Sequence, residues 1–451
     1  MEQTFERAAL RQEKQGQREA AHELLPGRLA ALIGEAVSPY HTVAAAKARL
    51  AAAGFEELSF GEAWKPVRGG SYYASFYGSC LIAFRIGEEA EAVDGFRIGA
   101  AHGDFPGFRI KPRPELAKDG YVRLNVEGYG GVNHMSWLDR PLSAAGKVVL
   151  RGKELFAPKV RLLDLKDTLF TIPNVAVHLQ REMNKGMELK KQSHMLPLFG
   201  VGGGDAGEGL FLRLLGERLD AAPEDILDYE LNLYNAEEGC LIGQGGAFYQ
   251  APRLDDLTSV DALLYALAGA KRARGINVLA LFDHEEVGSH TKQGAGSALF
   301  AGILEKLYRC LGFDAAAFSD ALSASLMMSV DVAHALHPAY ESHYDPVSKN
   351  VMGQGFSIKQ ACSQSYATDS EAIGIVQQIC DAGGIPYQKF VNHSDERGGG
   401  TLGSIAVSFF PVRCVDIGVP VLAMHSARET MGTADQRALC DYLTRFYGLE
   451  Q

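Results

Sequence analysis

Four stretches of this sequence end an apolar run in histidine and carboxylate side chains. GFRIGAAHGD stops at His102 and Asp104, and INVLALFDHEEVGS at Asp283, His284, Glu285 and Glu286. LMMSVDVAH stops at Asp331 and His334, and VPVLAMHSARE at His425 and Glu429. Adjacent like charges raise one another's pKa and cost stability unless a cation or a reacting proton absorbs the field. A solvated strand end explains any one of them; the joint pattern asks for chemistry. A fifth stretch, APRLDDLTSV, puts Asp255 and Asp256 ahead of an apolar helix, where aspartate is also a preferred cap. Two imidazoles and three or four carboxylates without a thiolate suit a pair of Zn²⁺, Mn²⁺ or Co²⁺ ions. Two such ions about 3.5–4 Å apart are a standard device for hydrolysis.

Other motifs carry less. His284-Glu285-Glu286-Val287-Gly288 opens like His-Glu-x-x-His, but glycine in the fifth place leaves a helix only one imidazole to present. No Gly-x4-Gly-Lys-Ser/Thr and no Gly-x-Ser-x-Gly occurs. Gly202-x-Gly204-x-x-Gly207 has dinucleotide spacing, yet it follows HMLPLFG rather than a clear buried strand, and reads as a mobile loop.

Residues this far apart need a fold that gathers them. After residue 245 a helix near Leu257 to Ala268, a strand INVLALF, a helix Ser297 to Leu311, a strand LMMSVDV and a helix near Ser370 to Asp381 alternate. With the helix Val43 to Ala53 and the runs CLIAFRIG and GFRIGAAHGD, that order predicts an α/β fold with a mainly parallel, doubly wound sheet. In such a sheet the carboxyl ends of the strands line one crevice. Residues 106–244 differ: VRLNVEGYGG, KVVLRGKELF, KVRLLDLKDTLF and ELNLYN alternate apolar and polar residues, with a helix from Leu210 to Arg218 among them. They predict an inserted, mostly β domain between 1–105 and 245–451. Residues 1–26 read as a polar helical extension without chemistry.

A chain of 451 residues buries an ample core without staples, so a metal would serve chemistry. The net charge of −11, with no lysine or arginine block, excludes a nucleic-acid partner. The apolar runs are too short for a membrane span, and the charged N-terminus is not a signal peptide. Seven scattered cysteines, with no Cys-x-x-Cys, predict thiols of a reducing cytoplasm.

The order His-x-Asp, Asp-Asp, Glu-Glu, Asp, His now sits among longer words: AAHGDFPGFRIKP, VEGYGGVNHMSWLDRPLSAAGKV, IPNVAVHLQR, APRLDDL, DHEEVGSHTKQGAGS, SVDVAHALHP, IKQACSQSYAT and AMHSARE. Together they resemble the aspartyl aminopeptidase family, peptidase family M18, over nearly the whole chain from about residue 29. The resemblance implies a peptidase domain, 1–105 and 245–451, and a dimerisation domain, 106–244. It implies two divalent ions, Zn²⁺ ahead of Mn²⁺ or Co²⁺. His102 and Asp331 would bind one, Glu286 and His425 the other, and Asp255 would bridge them. Asp104 would orient the His102 imidazole, and Glu285 would be the general base for a metal-bridging hydroxide. By the same resemblance His334 and Tyr366 lie near the scissile carbonyl, and His178 reaches the active site of a neighbouring subunit. Lys359 would favour an N-terminal Asp or Glu. The implied partners are peptides and further copies of the chain, dimers building a tetrahedral dodecamer. The rivals on the same scaffold are an aminopeptidase for neutral residues and an N-acyl amino-acid deacylase. A non-catalytic peptide binder would have little reason to keep Glu285 and all five ligands.

Overall fold

The computed structural model describes residues 24–202, 209–396 and 398–450. The expected N-terminal helix, up to residue 23, and Gly204 and Gly207 of the glycine run lie outside the described residues.

Nine strands form the main sheet, in the order Glu56–Glu57, Ser71–Phe76, Cys80–Ile86, Ile276–Phe282, Phe96–His102, Leu326–Val330, Arg413–Gly418, Phe356–Gln360 and Tyr387–Val391. The four strands from Ile276–Phe282 to Arg413–Gly418 run parallel. Cys80–Ile86 is antiparallel to both its neighbours, and Phe356–Gln360 to Arg413–Gly418. The fold is α/β with a mainly parallel sheet, as the alternation of elements requires. The short turn between Phe76 and Cys80 allows only a hairpin, so antiparallel pairing enters there.

The pattern of each strand follows from its place. Every residue of Ile276–Phe282 is buried, and successive side chains point to opposite faces. Ile276, Val278 and Ala280 join a cluster with Phe84, Phe300 and Tyr308, under helices Leu299–Cys310 and Ala315–Ser323. Leu279 and Leu281 join a second cluster with Leu263, Val376 and Tyr447, under helices Pro39–Ala52, Leu254–Gly269, Ser370–Gly383 and Thr433–Gly448. A sheet covered on both faces demands such continuous apolar runs.

A six-stranded sheet, Ala157–Asp164, Leu142–Glu154, Ile226–Asn235, Gly107–Lys118, Tyr121–Tyr129 and Leu198–Val201, is antiparallel throughout. It has its own core around Phe108, Trp137, Phe211 and Leu231. Two details depart from the sequence reading. KVVLRGKELF does not end as a strand, because Leu155 and Phe156 form an exposed hairpin tip. The strand Gly107–Lys118 was masked by Pro112 and Pro114, which fall where the pairing slips between Ile110 and Glu115; prolines are tolerated at such irregularities. A third, five-stranded sheet joins Cys240–Ile242, Phe248–Ala251, Glu429–Gly432, Pro420–Leu422 and Ala333–His334. Its short strands had no readable periodicity. Among the described residues no helix is long and apolar enough to cross a membrane, and all seven cysteines are free thiols.

Candidate metal centre

Two sheets deliver the side chains. His102 closes strand Phe96–His102 and pairs in register with Phe282, so residues 283–286 emerge over the same sheet edge. Asp331 follows Leu326–Val330, the neighbour on the other side. From the small sheet, Asp255 follows Phe248–Ala251 at the start of helix Leu254–Gly269, and His425 follows Pro420–Leu422. His284 and His425 both adopt left-handed backbone, φ 62° and 64°. Such costly conformations cluster where a site is held open.

Asp255 stands at the centre. Its Oδ1 lies 3.2 Å from His102 Nε2 and its Oδ2 3.3 Å from His425 Nε2. His102 Nε2 also faces Asp331 Oδ1 at 3.7 Å and Asp256 Oδ2 at 3.9 Å, and His425 Nε2 faces Glu286 Oε2 at 3.5 Å. Atoms of His102, Asp255, Asp256 and Asp331 lie within 4.8 Å of one another, as do atoms of Asp255, Glu286 and His425. The five residues expected as ligands therefore meet, with Asp255 common to both groups. Asp255 does not cap its helix, although aspartate there could have done so. Asp256, named beside Asp255 in the sequence but not expected as a ligand, joins the first group.

The donor set fits divalent ions. Asp255 and Asp256 are 3% and 1% exposed; Asp256 Oδ1 has no hydrogen-bond partner, and Asp255 Oδ1 has only the His102 imidazole beside it. Buried carboxylate oxygens without donors are costly, and a cation removes that cost. Imidazole nitrogen and carboxylate oxygen suit Zn²⁺, Mn²⁺ or Co²⁺.

Asp104 stands against His102 Nδ1, the place expected of it, and reaches further. Its backbone carbonyl, 3.0 Å away, is the partner of His102 Nδ1, while its carboxylate is 3.5 Å from that nitrogen. The carboxylate also accepts from the Tyr129 hydroxyl at 2.6 Å and from the backbone N–H groups of Glu285 and Glu286 at 3.1 and 3.2 Å. Past His102 the chain has left the sheet, so its carbonyl turns to the imidazole and its side chain to the glutamate turn. Glu429 does the matching work opposite, accepting from the N–H groups of Asp255 at 3.0 Å and His425 at 2.8 Å. Such outer contacts orient ligands. The six-stranded sheet reaches in as well: the Gly131 carbonyl lies 3.1 Å from His425 Nδ1. A Cβ on Gly131 would stand 3.0 Å from that nitrogen, and one on Gly130, φ 70°, 3.0 Å from the Glu286 Cβ. The glycine pair of VEGYGG is what permits the approach.

The electrostatics are those of crowded buried carboxylates. Burial opposes protonation of His102, but the Asp256 charge and contacts with Asp104, Asp255 and Asp331 hold its pKa well above the ordinary imidazole value. Burial likewise opposes ionisation of Asp255, and contacts with His102 and His425 outweigh it, keeping the group below the usual carboxylate range. Burial, against the pull of His102 and with the charges of Asp331, Asp104 and Asp255, pushes Glu285 up to about 8. Burial and the Asp255 charge raise Glu286. His425, opposed by burial but bonded to Asp255, rises to about 9.

A cavity of about 200 Å³ opens onto the cluster, lined by Glu285 and also by His334, Lys359 and Tyr366. Lys359 is 1% exposed; its Nζ donates to the Val332 carbonyl at 3.0 Å, lies 3.5 Å from Asp331 Oδ2 and faces the Tyr366 ring at 5.3 Å. His334 sits exposed at the rim. His178 is exposed and does not line this cavity.

Carboxylates and imidazoles gathered at the carboxyl edge of a parallel α/β sheet, with Glu285 in a third such group beside His102 and Glu286, form a donor set suited to metal-dependent hydrolysis. The family profile described as Aminopeptidase I zinc metalloprotease (M18) matches residues 32–447. A "Probable M18 family aminopeptidase 2" of Clostridium acetobutylicum is 41% identical, over 94% of this chain and 98% of its own, and its namesake in Clostridium novyi is 39% identical over 95% and 98%. A chain in the cryo-EM structure of the Ape4 and Nbr1 complex superposes with a TM-score of 0.91 at 30% identity, over 95% of this chain and 86% of that one. The chain belongs to the M18 family of zinc metalloaminopeptidases, hydrolases that act as exopeptidases.

Proposed function

We propose that the protein is a dinuclear aminopeptidase that releases N-terminal Asp or Glu from peptides. The observation that carries the acidic preference is Lys359, a buried ammonium on the wall of the cavity that holds the carboxylate cluster. A substrate carboxylate left unpaired in that cavity would be costly, and a fixed cation removes the cost.

In this reading His102 and Asp331 would hold one divalent ion, Glu286 and His425 would hold a second, and Asp255 would serve both; Zn²⁺ is the expected ion, ahead of Mn²⁺ or Co²⁺. The chemistry such ions would supply is polarisation of the scissile carbonyl and a nucleophile at neutral pH. Glu285 takes the proton of the attacking water and passes it to the leaving amine. Asp104 fixes the backbone that carries Glu285, and its carbonyl fixes the His102 ring. His334 and Tyr366 stand where a donor can meet the developing oxyanion. The free amino group of the substrate binds among the carboxylates, which restricts cleavage to the first residue.

The domain division 1–105 with 245–451 and 106–244 is part of the proposal, as is assembly through the second unit. The exposed Leu155 and Phe156 at its hairpin tip, and Val177 and Leu179 flanking His178, support burial against further copies. Dimers building a dodecamer, His178 serving a neighbour's centre and a cytoplasmic location complete the reading; one relative of the fold is described as a dodecamer.

The Asp331 contact favours a second reading, release of neutral residues, because it already neutralises Lys359. Release rates from peptides starting with Asp, Glu, Leu or acetylated Asp decide between them. The acidic reading expects Asp and Glu to be fastest and Lys359→Met to erase that advantage. Leu equal to or faster than Asp would sink it, and release of acetate alone would favour the deacylase.

A further inference from the structure

The cavity over the metal cluster, about 200 Å³, is smaller than the 300–1,000 Å³ typical of small-molecule sites, so it takes little more than one residue. The rest of a peptide must continue somewhere. A second groove of about 410 Å³ shares His334 and Gly399 with that cavity and runs on from it.

Its walls are the segment after strand Ala333–His334 and the segment after strand Tyr387–Val391, joined by a backbone bridge between Tyr344 and Asn392. Rings line it in sequence. His334 faces Phe390 at 6.4 Å, His337 faces Tyr340 at 4.8 Å, and Tyr340 faces His343 at 6.1 Å. At the far end His343 Nδ1 meets Glu396 Oε1 at 2.5 Å. Among the described residues no lysine or arginine lines the groove, and its single carboxylate is already paired. Tyr340 is 59% exposed, an aromatic surface without a cover. Aromatic and aliphatic side chains would find ring faces, and peptide carbonyls would find imidazole donors.

The geometry points to this groove as the binding site for the second and third residues beyond the released one, with a preference for aromatic or apolar side chains there. The inference rests on the aminopeptidase reading of the adjoining cluster. It names the part of the substrate that leaves, whereas Lys359 concerns the part that is cut off.

The test compares a dipeptide with a tetrapeptide that has the same first two residues and continues with Phe-Leu, on the wild-type enzyme and on His337→Ala, Tyr340→Ala and the double variant. Both positions are surface-accessible, and dipeptide turnover reports that each variant folds. The tetrapeptide-to-dipeptide ratio of kcat/KM is expected to fall about two- to tenfold per ring removed, through KM, as the loss of an aromatic pair predicts. Replacing Phe-Leu by Gly-Gly in the wild type should produce the same fall. Ratios that do not move in any variant would overturn the groove. Binding of reduced-amide analogues of the two peptides, measured by calorimetry, gives the same comparison without turnover. Loss of the Asp or Glu preference with an intact length dependence would sink the acidic reading and leave the groove standing.

Discussion

His102 and Asp331 stand on the ends of adjacent strands of the large sheet, with 1% and 11% of their side chains exposed, whereas His425, on a loop of the small sheet, is 31% exposed. Both halves of the centre offer imidazole and carboxylate to Asp255, yet they are built by opposite means. The first is rigid because its residues continue hydrogen-bonded strands inside the core. The second is a left-handed loop residue, tied down by Glu429 and by the Gly131 carbonyl. Equal donor chemistry can thus rest on unequal mechanical support, and the two halves should respond differently to damage.

The largest effect removes neither half. Glu285→Gln should lower kcat by about 10²–10⁴-fold, the usual weight of a general base, with metal content by elemental analysis unchanged; retained turnover would rule out that role. Next comes the contrast itself. His102→Ala leaves Asp255, Asp256 and Asp331 facing one another in the core and should cost the metal-free protein about 3–5 kcal/mol in denaturant unfolding. His425→Ala, partly solvated, should cost about 1 kcal/mol or less. Equal losses would show that the two halves are supported alike. Glu429→Gln replaces one of two acceptor oxygens by a donor that opposes the N–H of Asp255 or His425. It should weaken zinc binding about 10–100-fold, most at the ion that His425 would hold, seen in a zinc titration.

The smallest effect is in protons. In the metal-free chain His425, raised to about 9, and Glu285, raised to about 8, carry protons at pH 7. A raised pKa means a proton held through neutrality and lost as pH climbs past it. Zinc loading at pH 7 should therefore release protons, and release should shrink above pH 9. Calorimetry in buffers of different ionisation enthalpy measures this, and proton uptake would contradict it.

Much of the centre was legible because metal-binding chemistry uses few residue types and strand ends announce themselves. INVLALF followed by Asp-His-Glu-Glu, or LMMSV followed by Asp331, can be read from hydrophobicity alone. Asp256 and Glu429 stood out as residues but not in their roles, because those depend on backbone N–H groups and on a neighbouring imidazole that no spacing encodes. The strand Gly107–Lys118 hid behind two prolines, whose tolerance is decided by a pairing irregularity far along the chain.

The sequence by itself determined which groups could bind a cation, and that a parallel sheet would gather them, since both follow from residue type and local period. Only the tertiary structure decided that Asp255 faces two imidazoles rather than capping its helix, and that Asp104 holds a turn as well as a ring. It alone opened a ring-lined groove beside the cavity. Those outcomes depend on which distant segments the packed core brings within a hydrogen bond of each other, and long-range contact is the one quantity local sequence does not carry.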